Sequence, residues 1–134
     1  AVLEGHIAPV LDLAFSPDAA WIASASEDGT VRLWNSASGG SIPLTQHDAP
    51  VRALAFAPSG DVLIVGIGGE AEPPALEMWN VSDQSRAGVI TLADAERGIP
   101  ADLLFGADGT ALAWLTTQPG RSTLRIWGVT ATAS

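Results

Sequence analysis

Three tryptophans close three similar stretches of this chain, Leu33-Trp34-Asn35, Met78-Trp79-Asn80 and Ile126-Trp127-Gly128, at spacings of 45 and 48 residues. Ahead of each lies an apolar run ending in phenylalanine: Val10-Leu-Asp-Leu-Ala-Phe15, Val51-Arg-Ala-Leu-Ala-Phe56 and Ala101-Asp-Leu-Leu-Phe105, with Phe56 standing 41 residues after Phe15. A period in the forties accommodates about four short strands, and one such unit cannot bury its own apolar faces. The chain therefore folds as a series of sheets in which each repeat covers its neighbour.

The first repeat shows the internal plan. Ser24-Ala-Ser-Glu-Asp-Gly-Thr-Val-Arg-Leu-Trp34-Asn35 reads as a strand, a tight turn and a second strand. Asp28-Gly29 supplies the positive-φ positions that a two-residue hairpin needs, and the flanks alternate apolar or small with polar residues. Trp21 to Ser26 and Thr30 to Trp34 are the two central strands, and Ser16-Pro17-Asp18 marks the turn before them. Val10, Leu13 and Phe15 fit an inner strand whose broken alternation between Val10 and Leu13 suggests a bulge. Gly39 to Leu44 is outermost, where Pro43 is tolerated because an edge strand can lack an N–H.

Gly5-His6 at the head, the strand ending Phe15-Ser-Pro-Asp18, the Ser24-x-Ser-x-Asp28-Gly29 hairpin and the closing Trp34-Asn35 together resemble a WD repeat, the blade of a β-propeller. The resemblance covers essentially the whole chain. It implies an all-β fold class of three four-stranded antiparallel blades, at about 1–45, 46–92 and 93–134, forming part of a larger propeller ring. Only the first blade matches the full pattern. Blade two opens on Gln46-His47-Asp48 and replaces Glu27-Asp28-Gly29 with the longer acidic loop Gly68-Gly-Glu-Ala-Glu-Pro-Pro74. Blade three has no Gly-His ahead of Ala101, and its hairpin reads Thr116-Thr-Gln-Pro-Gly-Arg-Ser122.

Composition agrees with many short strands: 47% of residues are hydrophobic, and the 14 Gly and 9 Pro fall between the apolar runs. The formal net charge is −9, and all 6 basic residues are Arg, so there is no basic stripe for a nucleic-acid backbone or an anionic membrane surface. Neither is expected as a partner. With Cys at 0, disulfides, thiolate metal sites and a Cys nucleophile are excluded together. Val62-Leu-Ile-Val-Gly-Ile67, the longest apolar run, is far too short to span a bilayer. The chain starts without a signal-peptide pattern or an initiating Met, which fits a processed or excised piece, and a cytoplasmic location is expected.

Three blades fall short of the roughly 4 to 8 that close a ring. Leaving three or four Trp, Phe and Leu side chains in water forfeits roughly 5 to 10 kcal/mol, at about 1.5 to 3 for each. That is comparable to the whole stability of a domain, about 5 to 15 kcal/mol. The chain ends suggest a remedy. Trp34 to His47 is 13 residues; Trp127 to Ser134 is 7, and the 6 from Ala1 to His6 again make 13 when one copy's tail meets another's head. The expected partner is therefore the chain itself, in a cyclic homo-oligomer: a dimer giving six blades or a trimer giving nine, with an outer strand shared between the two ends. Excision from a longer propeller gives the same arithmetic.

His6, Ser24 and Asp28 have the residue types of a nucleophile triad, but no strained Gly-x-Ser-x-Gly elbow accompanies them. The resemblance implies instead a structural hydrogen-bond chain through His6, Ser24, Asp28 and Trp34. Ser26 shares a face with Ser24, which leaves the choice of hydroxyl open. His47 is expected to cap a loop without an Asp partner. His6 and His47 occupy matching positions in successive blades, so they are repeated around a ring rather than gathered on a metal, and no metal, cofactor or catalytic residue is expected. The family's partners commonly dock on the loop-bearing face. Carried over by position, candidate residues for a protein or peptide partner are Leu11, Glu27 and Arg52, the loop acids Glu70 and Glu72, which could also meet a cation, and Asp102 in the shorter third blade. The chain is expected to be a non-catalytic interaction scaffold.

Overall fold

The computed structural model describes residues 4–68, 75–91, 99–106, 111–118 and 120–128. Eleven strands follow one another: β1 (Val10–Phe15), β2 (Trp21–Ser26), β3 (Thr30–Asn35), β4 (Ser41–Gln46), β5 (Val51–Phe56), β6 (Val62–Ile67), β7 (Ala75–Asn80), β8 (Ser85–Thr91), β9 (Ile99–Phe105), β10 (Ala111–Gln118) and β11 (Arg121–Gly128). They form three antiparallel sheets, β1-β2-β3-β4, β5-β6-β7-β8 and β9-β10-β11, and no described residue is helical. These are three blades of a propeller that the chain does not close. A fourth strand for blade three, like the shared outer strand expected from the chain ends, would fall on 1–3 and 129–134, outside the described residues.

Local chemistry explains most of the boundaries. Gly29 holds φ at 83° in the β2–β3 turn, but Asp28 does not take a positive φ: the Gly29 N–H bonds to Ser26 O at 3.1 Å, so Glu27, Asp28 and Gly29 together turn the chain in place of the expected two-residue hairpin. Pro43 lies on edge strand β4, next to a register shift between Val31 and Arg32 that absorbs its missing N–H. The outer strand runs Ser41–Gln46, two residues later than its Gly39–Leu44 expectation, because Gly39 takes φ 73° in the preceding turn.

The bulge in β1 falls between Val10 and Asp12, and the same shift recurs in β5 between Val51 and Ala53. Leu11 and Arg52 are the extra residues. In β9 the pairing jumps from Asp102 to Pro100, so the extra residue there is Ala101. Asp102 thus corresponds to Asp12 and Ala53, a correction to the alignment that set it beside Leu11 and Arg52. In the β10–β11 hairpin Thr116 pairs with Thr123, Thr117 with Ser122 and Gln118 with Arg121.

Blade two is the middle layer. Leu54, Phe56, Leu63 and Val65 join Ala23, Val31 and Leu33 of blade one in one buried cluster, while Ala53, Ala55, Ile64 and Leu76 meet Leu103 and Leu112 of blade three in another. The two outer flanks have no such cover. Val10, Leu13 and Phe15 on blade one are 47%, 60% and 64% exposed, whereas their counterparts Val51, Leu54 and Phe56 are 0%, 3% and 9%. On blade three Leu124 and Ile126 are 62% and 69% exposed, against 0% for Val31 and Leu33 at the same register positions.

Candidate functional site

The polar residues of blade one converge on a single imidazole. The indole N–H of Trp34 donates to Ser24 Oγ at 2.8 Å, and Ser24 Oγ meets His6 Nε2 at 2.6 Å. His6 Nδ1 lies 3.2 Å from Asp28 Oδ2 and 3.0 Å from Thr30 Oγ1. A proton on Nδ1 satisfies every group: the indole donates to the hydroxyl, the hydroxyl to Nε2, and Nδ1–H to the carboxylate. Burial pushes the Asp28 carboxyl up, yet hydrogen bonds from the Thr30 hydroxyl, the Thr30 and Ile7 N–H groups and His6 outweigh it and hold the carboxyl well below the usual range.

Ser24, rather than Ser26, therefore carries the link. Ser26 Oγ instead donates to Pro9 O at 2.9 Å and accepts the Asp28 N–H at 3.1 Å. Together with Glu27 N to Pro9 O at 3.0 Å and Ile7 N to Asp28 Oδ2 at 3.1 Å, these bonds tie the segment from His6 to Pro9 along the end of the β2–β3 hairpin. Gly5 leaves room for this arrangement, since a Cβ there would stand 3.2 Å from Arg32 Cζ and Trp34 Cη2. Ser24 is 2% exposed and engaged on both sides, so this hydroxyl is not presented to a substrate as a nucleophile would be.

Blade two solves the same problem with different residues. Val65 stands where blade one has Ser24, and Glu77 where it has Arg32. A valine cannot accept the indole proton. Glu77 Oε1 accepts it instead, 3.1 Å from Trp79 Nε1, and lies 2.8 Å from His47 Nε2, while Oε2 meets Arg86 Nη1 at 3.2 Å. His47 thus has a carboxylate partner drawn from β7. The signal was present in the sequence: Glu77 and Trp79, two apart on a strand, share a face.

Leu11, Glu27 and Arg52 lie at the same end of their sheets, at the bulges and the hairpin turn. Glu27 is exposed; Leu11 and Arg52 are half-buried, and Arg52 Nε has no partner among the described residues. Glu70 and Glu72 lie outside the described residues. Asp102 is exposed, with its Oδ1 accepting the Leu103 N–H at 2.9 Å. At the opposite end, a crevice of about 250 Å³ between blades one and two is lined by Asp18, Trp21, Ser59, Asp61 and Ser82. Hydrogen bonds from the Ser16 hydroxyl and the Ala20 N–H hold the Asp18 carboxyl below its ordinary value. The described residues contain no group of three or more His, Asp or Glu placed to hold a metal ion.

The family profile WD domain, G-beta repeat matches residues 1–35 and 41–70. The chain belongs to the WD-repeat family. This WD-repeat chain is 29% identical over 133 residues to guanine nucleotide-binding protein subunit beta of Zea mays, covering 96% of this chain and 33% of that protein. It is 46% identical over 63 residues to periodic tryptophan protein 2 of Arabidopsis thaliana, 46% of this chain and 7% of the relative. The crystal structure of RRP9 WD40 repeats superposes with a TM-score of 0.77 at 24% identity, over 96% of this chain and 38% of that one, a likeness of fold. The WD-repeat chain thus spans a third or less of these curated relatives.

Proposed function

We propose that this WD-repeat chain is a non-catalytic protein-interaction scaffold: three consecutive blades of a propeller ring that further blades complete, with a protein or peptide partner docking at the end bearing Leu11, Glu27 and Arg52. The reading rests on one contrast. The hydrogen-bonding groups that resemble chemistry are turned inward and occupied, whereas Glu27 and Arg52 stand on turns and bulges held by a rigid scaffold, where recognition is ordinarily carried. The exposed flanks support the need for neighbours, because Val10, Leu13, Phe15, Leu124 and Ile126 each have a counterpart that a blade covers.

Two sources would supply those neighbours. Head-to-tail contact between copies gives six blades from two chains or nine from three, with an outer strand built from both ends. Blades of another sequence would serve equally, and the one-third coverage of subunit beta favours them. Sedimentation equilibrium separates the two: particles of twice or three times 13.7 kDa support self-assembly, and a monomer contradicts it. Pull-down with Glu27→Arg and Arg52→Glu tests the docking end. Loss of the bound proteins supports it; an unchanged set removes those residues.

A further inference from the structure

The seam between blades one and two is joined by a carboxylate. Asp12 sits just past the β1 bulge, where its Oδ1 accepts the N–H of Leu13 at 2.9 Å and its Oδ2 crosses to the N–H of Leu54 in β5 at 2.9 Å. The residue before Leu54 is Ala53, whose side chain offers no acceptor. At the next seam the roles are divided differently. Ala53 sends nothing across, and the matching amide, Leu103 N–H, is served at 2.9 Å by Oδ1 of Asp102 in its own strand. Each of these three amides therefore has one carboxylate, supplied from its own blade or from the blade before.

Asp102 stands at the register position of Asp12, with Oδ1 engaged as in Asp12 and Oδ2 without a hydrogen-bond partner among the described residues. It lies on the blade whose outer flank exposes Leu124 and Ile126. We propose that Oδ2 of Asp102 is the latch for a fourth blade of different sequence, one with a small uncharged residue at the position of Ala53 and hence an unserved amide at the position of Leu54. The proposal rests on the reading that other blades complete the ring, and it selects among them. Blade one of a second copy fits poorly, because its matching amide, Leu13 N–H, is already held by Asp12. Docking there would aim two carboxylates at one N–H, and like charges at hydrogen-bonding range repel.

Extending the full chain tests this. Residues 42–92 appended after Ser134 supply a fourth blade with Ala53 at the new seam, and residues 1–45 supply one with Asp12; both place a His 13 positions after Trp127. Asp102→Asn is made in each and in the unextended chain. Asparagine retains the oxygen that serves Leu103 but replaces the second acceptor with a donor. The expected result is a melting temperature lowered by about 3 °C or more in the first extended protein, with no loss in the second or in the unextended chain. Equal losses in both extended proteins, no loss in the first, or a first extended protein no more stable than the unextended chain would overturn the latch. An unextended chain that sediments as a ring of copies and dissociates on Asp102→Asn would overturn the choice of neighbour while leaving the scaffold reading intact.

Discussion

Glu77 accepts the indole N–H of Trp79 two residues further along the same strand, at 3.1 Å. Blade one closes its equivalent tryptophan across strands, through a neutral hydroxyl on β2. Blade two does so within β7, through a buried anion that also meets His47 and Arg86. The substitution of Val65 for a serine is what makes the anion necessary. Because Glu77 is 4% exposed and is the acceptor for the Trp79 indole, its removal leaves that N–H unpaired, whereas Arg86 is 56% exposed to water and His47 Nε2 also meets Thr45 Oγ1 at 3.0 Å. Glu77→Ala is expected to lower the unfolding free energy by about 1 to 3 kcal/mol, and Glu77→Gln by clearly less, measured by urea denaturation. Equal losses for the two would show that the charge and second acceptor oxygen, which glutamine lacks, and not an acceptor for the indole alone, are what Glu77 contributes.

The first blade is expected to respond to acid through Asp28. Its carboxyl is held below the usual range in the folded chain, so it contributes stability that is fully present above the unfolded value of about 4 and is lost as pH falls through the lower folded value. Asp28→Asn should therefore be less stable than the parent at pH 7, and the gap should narrow as pH drops from about 5 to 2. Denaturation at several pH values reads this directly; a gap independent of pH would contradict it.

Gly29 couples the two blades through its lack of a side chain. A Cβ there would lie 2.0 Å from the carbonyl oxygen of His47, and the residue already holds φ at 83°. The Gly29 carbonyl also accepts the His47 N–H at 2.8 Å, so the lead-in to blade two is pressed against the turn of blade one. Gly29→Ala is expected to cost more than about 2 kcal/mol, since the backbone strain alone is roughly 1 and a main-chain overlap cannot be relieved by a rotamer change. Thermal unfolding measures it, and a melting temperature within a degree of the parent would refute the steric argument.

The bare flanks should govern the behaviour of the chain in concentrated solution. Replacing Phe15 and Ile126 with Ser removes apolar surface that is 64% and 69% exposed. The expected outcome is little change in the unfolding midpoint at low concentration and less association by light scattering. A large fall in the midpoint would mean that both side chains are covered in solution.

Features fixed by neighbouring residues were the ones legible in the sequence. The Asp28-Gly29 turn, the bulge after Val10 and the edge position of Pro43 each follow from the local conformational preferences of two or three residues. The convergence of His6, Ser24, Asp28 and Trp34 followed from the family pattern that their spacing matches. Glu77 is hard to read from the sequence because the replacement of the serine by Val65 conceals a compensating acid on the adjacent strand. The Thr116 to Ser122 hairpin departs from the Glu27-Asp28-Gly29 pattern, yet Thr116 and Thr117 are β-branched and pair well in a ladder. Asp102 was misaligned because a blade one residue shorter can place its gap on either side of the bulge, and only strand pairing decides which.

The segment from His6 to Pro9 belongs to no strand, and Ile7 within it is almost wholly exposed. By outward signs it is where a protease should cut first. Yet Ile7 N–H, Pro9 O and the His6 ring are all bonded to the β2–β3 hairpin, so the backbone there cannot enter a cleavage site until that hairpin lets go. Nicking at this irregular stretch should thus proceed at the pace of opening the sheet beneath it.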